Sequence, residues 1–187
     1  PSIRFESDFV RNFRPGSEVR ESYEFIENNL TPLGSVEIVV KTKDGSPIVT
    51  VADLANAREV GNQAVSQFGH VIKKAMTLAD MLTLGQSELP AYDFTLKARM
   101  AAASLALGED ALRNFLSADH TSMRINLRAI EGVSVAEKLE VCAKLQQIAT
   151  NVFGDDYDVT VTGLYSFYAT LVSKLVRDQY RSFGLAV

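Results

Sequence analysis

"SMRINLRAIEGVSVAEKLEVCAKLQQIATNVFGDDYDVTVTG", residues 122–163, contains the pattern that decides the fold. Its first nine residues alternate between apolar and polar side chains, and the apolar ones are Met123, Ile125, Leu127 and Ala129. Such a period of two predicts a strand at 122–130 with one buried face.

A helix with its own start signal follows this strand. Ser134 and Glu137 have the S-x-x-E spacing of a capping box. The residues that then recur at helical spacing form one apolar face: Val135, Leu139, Cys142, Leu145, Ala149 and Val152. Alternation returns at 156–162, so this stretch predicts a strand, a helix over 134–153 and a second strand.

The same order occurs earlier in the chain. A strand is predicted at 36–42, a helix at 51–68 and a short strand near 70–76, whose two lysines suit a sheet edge. Thr50 opens that helix with a capping-box carboxylate at Asp53. The two halves give β-α-β-β-α-β, an α+β fold of the ferredoxin-like, split βαβ type. Both helices should then lie on one face of an antiparallel sheet.

Four further segments complete the predicted architecture. A helix carries Val19, Tyr23, Ile26 and Leu30, and a strand-like alternation opens the chain at 3–6. A broken helical insertion spans 78–118, and a long terminal helix spans 164–187. We expect residues 1–187 to form a single domain.

Composition limits the classes of function. The chain has 187 residues and a net charge of −4, which argues against a general nucleic-acid binder. It begins at Pro1 and ends on the apolar run "FGLAV", so both ends are expected to be cut from a longer protein.

The residues that carry most enzyme chemistry are scarce and scattered. His70 and His120 have no metal-site spacing, and Cys142 falls on an apolar helix face, where a core residue is expected. The acidic run 154–158 lacks the spacing of a calcium loop and fits a solvated strand edge better. We therefore expect no catalytic, metal-binding or cofactor-binding residues, and no enzyme activity.

Two basic features allow more than one interpretation. Arg124 and Arg128 lie on the polar side of their strand, where they could hold an anion, although pairing with surface carboxylates is favoured. The terminal helix has an apolar stripe and a basic row at spacings of three and four: Leu164, Tyr168, Leu171 and Leu175, and Lys174, Arg177 and Arg181. The stripe could pack on the sheet, or the helix could approach a membrane, where basic side chains extend to lipid headgroups.

Two stretches resemble one family of membrane proteins. "VTVTGLYSFYATLVSKLVRDQYRSFGLAV", residues 159–187, is similar to the segment before a transmembrane helix in exporters of the resistance–nodulation–division superfamily, which includes the MMPL and Patched-like proteins. "SDFVRNFRPGSEVRESYEFIENNLTPLGSVEIVV", residues 7–40, is similar to the segment after a preceding transmembrane helix. The matched residues are Phe13, Pro15, Ser17, Val19 and Arg20 in the earlier stretch, and Thr162, Gly163, Leu164, Arg177, Gln179, Arg181, Ser182 and Phe183 in the later one. Of the paired glycines usual before the strand, only Gly34 is present.

The resemblance implies an extracytoplasmic (periplasmic) loop domain, held at the cell membrane by transmembrane helices of the same parent chain. Such loops resemble porter domains with ferredoxin-like cores, and the family's proton-relay carboxylates lie outside them. The expected function is to couple transmembrane movements, driven by an ion gradient, to the efflux of lipid-like or hydrophobic compounds. The resemblance names no substrate-binding residue and leaves self-association open.

The alternative is a free-standing ferredoxin-like module for ligand sensing or protein interaction. In either case the insertion 78–118 is expected to face a substrate or another subunit, or to cover the open face of the sheet as a lid.

Overall fold

The computed structural model describes residues 13–83, 89 and 91–185, so the strand expected at 3–6 lies outside the described residues. The helices and strands follow the order α1 (Glu18–Asn29), β1 (Gly34–Thr42), α2 (Val51–Phe68), β2 (Ile72–Met76), α3 (Leu78–Thr83), α4 (Asp93–Leu107), α5 (Glu109–Arg113), β3 (Ser122–Ala129), α6 (Val135–Phe153), β4 (Tyr157–Thr162) and α7 (Leu164–Leu185).

The four strands form one sheet in the order β2-β3-β1-β4, and every neighbouring pair is antiparallel. Helix α2 connects β1 to β2, and α6 connects β3 to β4. This is the predicted ferredoxin-like arrangement. Helices α1 and α7 flank it in sequence, and α3 to α5 form the insertion between β2 and β3.

One face of the sheet is packed against α2 and α6 and forms the core. The strand residues on this face alternate as predicted and are almost fully buried: Val36, Ile38, Val40, Met123, Ile125, Leu127 and Ala129. The helices contribute Leu54, Ala57, Val60, Ala64, Leu145 and Ala149. Burial of these apolar surfaces is the main driving force for the fold.

The other side of the sheet, called the open face below, carries mainly polar and charged residues. These include Glu37 and Lys41 on β1, Lys74 on β2, Arg124 and Arg128 on β3, and Asp158, Thr160 and Thr162 on β4. Lys74, Arg124 and Thr160 are exposed, so the expectation that the insertion covers this face as a lid is wrong. Of the described residues of the insertion, Phe115 lies at one edge of the face, where its carbonyl accepts the Arg124 N–H at 2.8 Å, and Arg113 shares a cavity with Val39 of β1.

The start of α2 is fixed by a buried carboxylate. Asp53 and Thr50 form the predicted capping box, and Asp53 is only 2% exposed. The remaining Asp53 oxygen accepts the hydroxyl of Tyr157 on β4 at 2.7 Å. This hydrogen bond is the main reason that the pKa of Tyr157 rises to about 12. The bond joins the first turn of α2 to an edge strand.

The outer edge of β4 is partly closed by a side chain of α6. The Gln146 amide donates to the Val159 carbonyl at 2.8 Å and accepts the Val161 N–H at 2.9 Å. An unpaired strand edge can pair with other chains, and this amide occupies two of its backbone groups.

The other predicted cap forms only in part. Ser134 accepts the Glu137 N–H at 3.2 Å, as expected. The Glu137 carboxylate does not complete a capping box, because it lies 3.3 Å from His70 Nε2.

Candidate functional site

A cluster of buried and half-buried polar groups lies at one end of the sheet, where β1 begins and β3 and β4 end. Its centre is Lys138 on α6, which has no exposed surface. The Lys138 ammonium pairs with the Glu131 carboxylate and lies 4.6 Å from the centre of the Tyr165 ring. We call Glu27, Glu131, Lys138 and Tyr165 the junction cluster.

The junction cluster joins α1 to the body of the domain. Glu27, in the last turn of α1, accepts the backbone N–H of Glu131 at 3.1 Å. Glu131 therefore binds α1 through its backbone and α6 through its side chain. A single residue of the β3–α6 loop connects the two helices.

The cluster also anchors the first turn of α7. Tyr165 is 1% exposed, and its ring lies beneath the Lys138 ammonium. Burial, followed by the nearby Glu131 carboxylate, raises the pKa of the Tyr165 hydroxyl. This hydroxyl has no hydrogen-bond partner within the described ranges. Tyr165 thus acts as an apolar and cation–π contact, since its hydroxyl remains protonated.

Two glycines permit the close packing around this cluster. A Cβ on Gly34 would lie 2.6 Å from the Ala129 carbonyl oxygen and 3.1 Å from Tyr165 Cδ2. Gly163 turns β4 into α7 with a φ of +102°, and its Cβ would lie 2.7 Å from the Ser35 carbonyl oxygen. Gly34, the one present of the paired glycines expected before β1, therefore serves close packing.

Cys142 lies next to the cluster and is buried, as the sequence predicted. Burial raises the pKa of its thiol, and a hydrogen bond with Ser166 opposes this in part. A protonated, buried thiol is a poor nucleophile.

The other residues considered for chemistry are dispersed. His70 and His120 are exposed and belong to separate loops. In the acidic run, Lys43 Nζ donates to the Asp155 carbonyl at 2.6 Å and lies 4.0 Å from the Asp158 carboxylate. In the part of the chain that the structure describes, no cluster of His, Cys, Asp or Glu has a composition suited to a metal ion.

Helix α7 packs through a different face from the one expected. Among its described side chains, the buried ones are Tyr165 and Ala169. The predicted stripe is exposed, together with Phe167: Leu164, Phe167, Tyr168, Leu171 and Leu175. The expectation that this stripe packs on the sheet is therefore wrong, because the small Ala169 and the Tyr165 ring make the contact. The Arg181 side chain lies outside the described part of the molecule. Among the described helices, none has the length and hydropathy needed to cross a bilayer.

Open grooves lie between described helices of the insertion. One, of about 350 Å³, lies between α4 and α5 and is lined partly by Met100, Leu112 and Arg113. The second, of about 320 Å³, lies between α3 and α4 and is lined mainly by alanine and leucine. Phe94 and Leu105 of α4 are 80% and 90% exposed. The insertion therefore presents apolar surface outward.

Sequence reasoning missed the junction cluster, although one signal was present. Lys138 continues the helical spacing of Val135, Cys142 and Leu145, so it occupies a core position of α6. A lysine in an apolar stripe requires a buried partner. Its partners, Glu131 and Tyr165, could not be identified from that spacing.

Neither a scan against protein-family models nor a search of curated proteins found a match to this chain.

Proposed function

We propose that this chain is the extracytoplasmic domain of an ion-gradient-driven membrane exporter of lipid-like or hydrophobic compounds. Its role is to couple movements of transmembrane helices to substrate passage. The observation that supports this most is the junction cluster, which connects α1 and α7 to the same end of the sheet.

The cluster makes the two helices suitable for transmitting movement. Separating α7 from α6 would remove the Tyr165 ring from Lys138, and displacing the β3–α6 loop would unpair the Lys138 ammonium. Breaking a buried ion pair costs about 3–5 kcal/mol. A displacement of either helix is therefore passed to the whole sheet as a rigid-body movement, which is one of the common modes of conformational coupling.

The exposed apolar surfaces fit a hydrophobic cargo or a neighbouring subunit. Phe94 and Leu105 on α4 and the stripe on α7 are unusually exposed for large apolar side chains. Contiguous exposed apolar surface often marks a binding site for a protein, a ligand or a membrane. In this proposal the insertion faces the transport path or another subunit.

The resemblance of residues 7–40 and 159–187 to the segments beside transmembrane helices supports the location at the cell membrane. The partners are then the transmembrane helices of the parent chain and the transported compound. The domain itself carries out no reaction.

The second candidate is a free-standing ligand-sensing or protein-interaction module. The uncovered open face favours it, since a sheet face without a covering layer is available to a partner in solution.

The two candidates differ in the protein that the complete reading frame encodes. The parent protein, expressed with a tag, should stay in the membrane fraction after alkaline carbonate extraction. Cells producing it should lose a hydrophobic fluorescent dye faster than control cells, and a protonophore should abolish the difference if protons drive export. A parent that is released in full by carbonate would contradict the exporter and favour the module.

Coupling through the junction cluster can be tested in the same cells. Glu27→Ala removes the side chain that holds the β3–α6 loop and should slow dye efflux. Glu24→Ala is the matched control, because Glu24 lies on the same helix and pairs with Arg20 at the surface, at 2.8 Å. Equal efflux by both variants, at equal amounts in the membrane, would argue against coupling through Glu27.

A further inference from the structure

Two basic side chains on the open face are placed directly opposite each other. Lys74 of β2 is in register with Arg128 of β3. Within the described ranges neither forms an ion pair with a carboxylate, so the expectation that both strand arginines pair with carboxylates is wrong for Arg128. Arg124, on the same strand, does pair with Glu37 at 3.4 Å.

This arrangement is unfavourable without an anion. Like charges directly opposite each other on neighbouring strands destabilise a sheet. The nearest strand carboxylate, Glu37, is engaged by Arg124. An oxyanion between the Lys74 ammonium and the Arg128 guanidinium would remove the repulsion and gain two charge-assisted hydrogen bonds. Ser35, in register with Arg128 on β1, offers a neighbouring hydroxyl.

Apolar side chains continue from this basic pair along the same edge of the face. Met76 follows Lys74 on β2 and is 36% exposed. Phe115 comes next along the outer edge of β3, where it hydrogen-bonds Arg124. Phe115, which is 8% exposed, and Val39 line a cavity of about 110 Å³ together with Arg113 and Arg124. Since β3 rises by about 3.3 Å per residue, the basic pair and the cavity are about 13 Å apart.

We infer that the open face binds an anionic amphiphile, with its oxyanion headgroup between Lys74 and Arg128 and its alkyl chain along Met76 toward the cavity at Phe115. The positive charge of Lys74 and Arg128 favours an anionic amphiphile over neutral or cationic lipids. The described strands place four basic and two acidic side chains on the open face, although the whole chain has a net charge of −4. The inference rests on the proposed function and specifies its substrate class.

The experiment titrates the 187-residue chain with laurate and with dodecyl phosphate below their micellar concentrations. Backbone amide shifts in NMR spectra locate the site and give the dissociation constants. Dodecanol tests the chain without a charge, dodecyltrimethylammonium tests the opposite charge, and acetate and inorganic phosphate test the headgroup alone. Laurate or dodecyl phosphate should bind at least about tenfold more tightly than any of these four, with shifts at Lys74, Met76 and Arg128.

Three variants test the contacts. Lys74→Ala and Arg128→Ala should each weaken laurate binding by about tenfold to a hundredfold, the range for loss of a charge-assisted hydrogen bond. Lys41→Ala is the matched control: it removes the same charge from the other end of the same face and should leave binding unchanged. Met76→Ser should weaken binding of laurate but not of acetate.

Equal binding of dodecanol and laurate, or an equal loss in the Lys41 variant, would overturn the inference. Inorganic phosphate that binds as tightly as dodecyl phosphate would overturn the inferred contact between the alkyl chain and Met76 and Phe115. Carbonate extraction of the parent protein tests the proposed function separately. If the parent protein stays in the membrane but its open face binds neither laurate nor dodecyl phosphate, only the inferred substrate class is overturned.

Discussion

Replacing Glu131 by alanine should leave the Lys138 ammonium buried without its partner. Lys138 has no exposed surface, so water cannot reach its ammonium without local rearrangement. Removing one member of a buried ion pair costs about 3–5 kcal/mol, since the remaining charge keeps its desolvation penalty. For a chain of this length, such a loss lowers the melting temperature by about 6–20 °C.

Replacing Lys138 by methionine should be much less damaging. Methionine has a similar shape and can keep the contact with the Tyr165 ring through its sulfur. Glu131, which the change leaves unpaired, is 19% exposed at its side chain and can be hydrated. We expect a loss of about 1–2 kcal/mol, mainly from the cation–π contact. In the double variant, Lys138→Met should recover stability lost by Glu131→Ala, because the charge that lacked a partner is gone.

Urea denaturation followed by far-ultraviolet circular dichroism measures these free energies of unfolding. Glu140→Ala is a suitable control on α6, because its carboxylate pairs with Lys144 at the surface at 2.7 Å. An exposed pair of this kind contributes little to stability, so its loss should be small. The reasoning would be refuted if Lys138→Met added to the loss in the Glu131→Ala background, or if Glu131→Ala behaved like Glu140→Ala.

Three further changes test other contacts by the same denaturation assay. Tyr157→Phe removes the hydrogen bond to Asp53 and should cost about 1–2 kcal/mol at pH 7. The folded-state pKa of Tyr157 is raised from 10.0 to about 12. The extra stability of the wild type is therefore complete below pH 10 and should shrink as the pH rises toward 12. A stability difference that stays constant over this range would contradict the hydrogen bond to Asp53. Gln146→Glu should destabilise the fold by about 1 kcal/mol more than Gln146→Ala does, because a carboxylate repels the Val159 carbonyl and cannot donate a hydrogen bond to it. If Gln146→Ala were the more destabilising variant, Gln146 would not close the edge of β4. Gly163→Ala should cost about 1–3 kcal/mol through its positive φ, before any clash is counted, and a neutral result would mean that the β4–α7 turn adapts freely.

The sheet and its two crossing helices could be predicted because each carries a local signal. The alternation of Met123, Ile125 and Leu127 reflects the period of a strand with one buried face. Thr50 and Asp53 mark the start of α2 through contacts three residues apart. Such patterns involve residues close together in sequence, so they can be recognised without knowledge of the fold.

The junction cluster could not be predicted in this way because Glu27 and Tyr165 are distant from Lys138 in sequence, and Glu131 lies in the loop before the helix rather than on it. The four residues come from three helices and one loop, and the finished fold brings them together. The prediction of which face of α7 is buried was wrong for a similar reason. Periodicity identifies an apolar stripe, but it does not say whether that stripe or a neighbouring small residue such as Ala169 meets the next helix.

The two faces of the sheet have different roles: one stabilises the fold, and the other is available for binding. The face against α2 and α6 is closed by apolar side chains, so changes there act on folding. The open face contributes little apolar burial, and the charge repulsion between Lys74 and Arg128 reduces stability. A repulsion of this kind could be relieved by a single substitution to a neutral polar residue without loss of core packing. Lys74→Gln should therefore raise the free energy of unfolding slightly while weakening anion binding. Such a trade-off between stability and binding is expected at a ligand-binding surface.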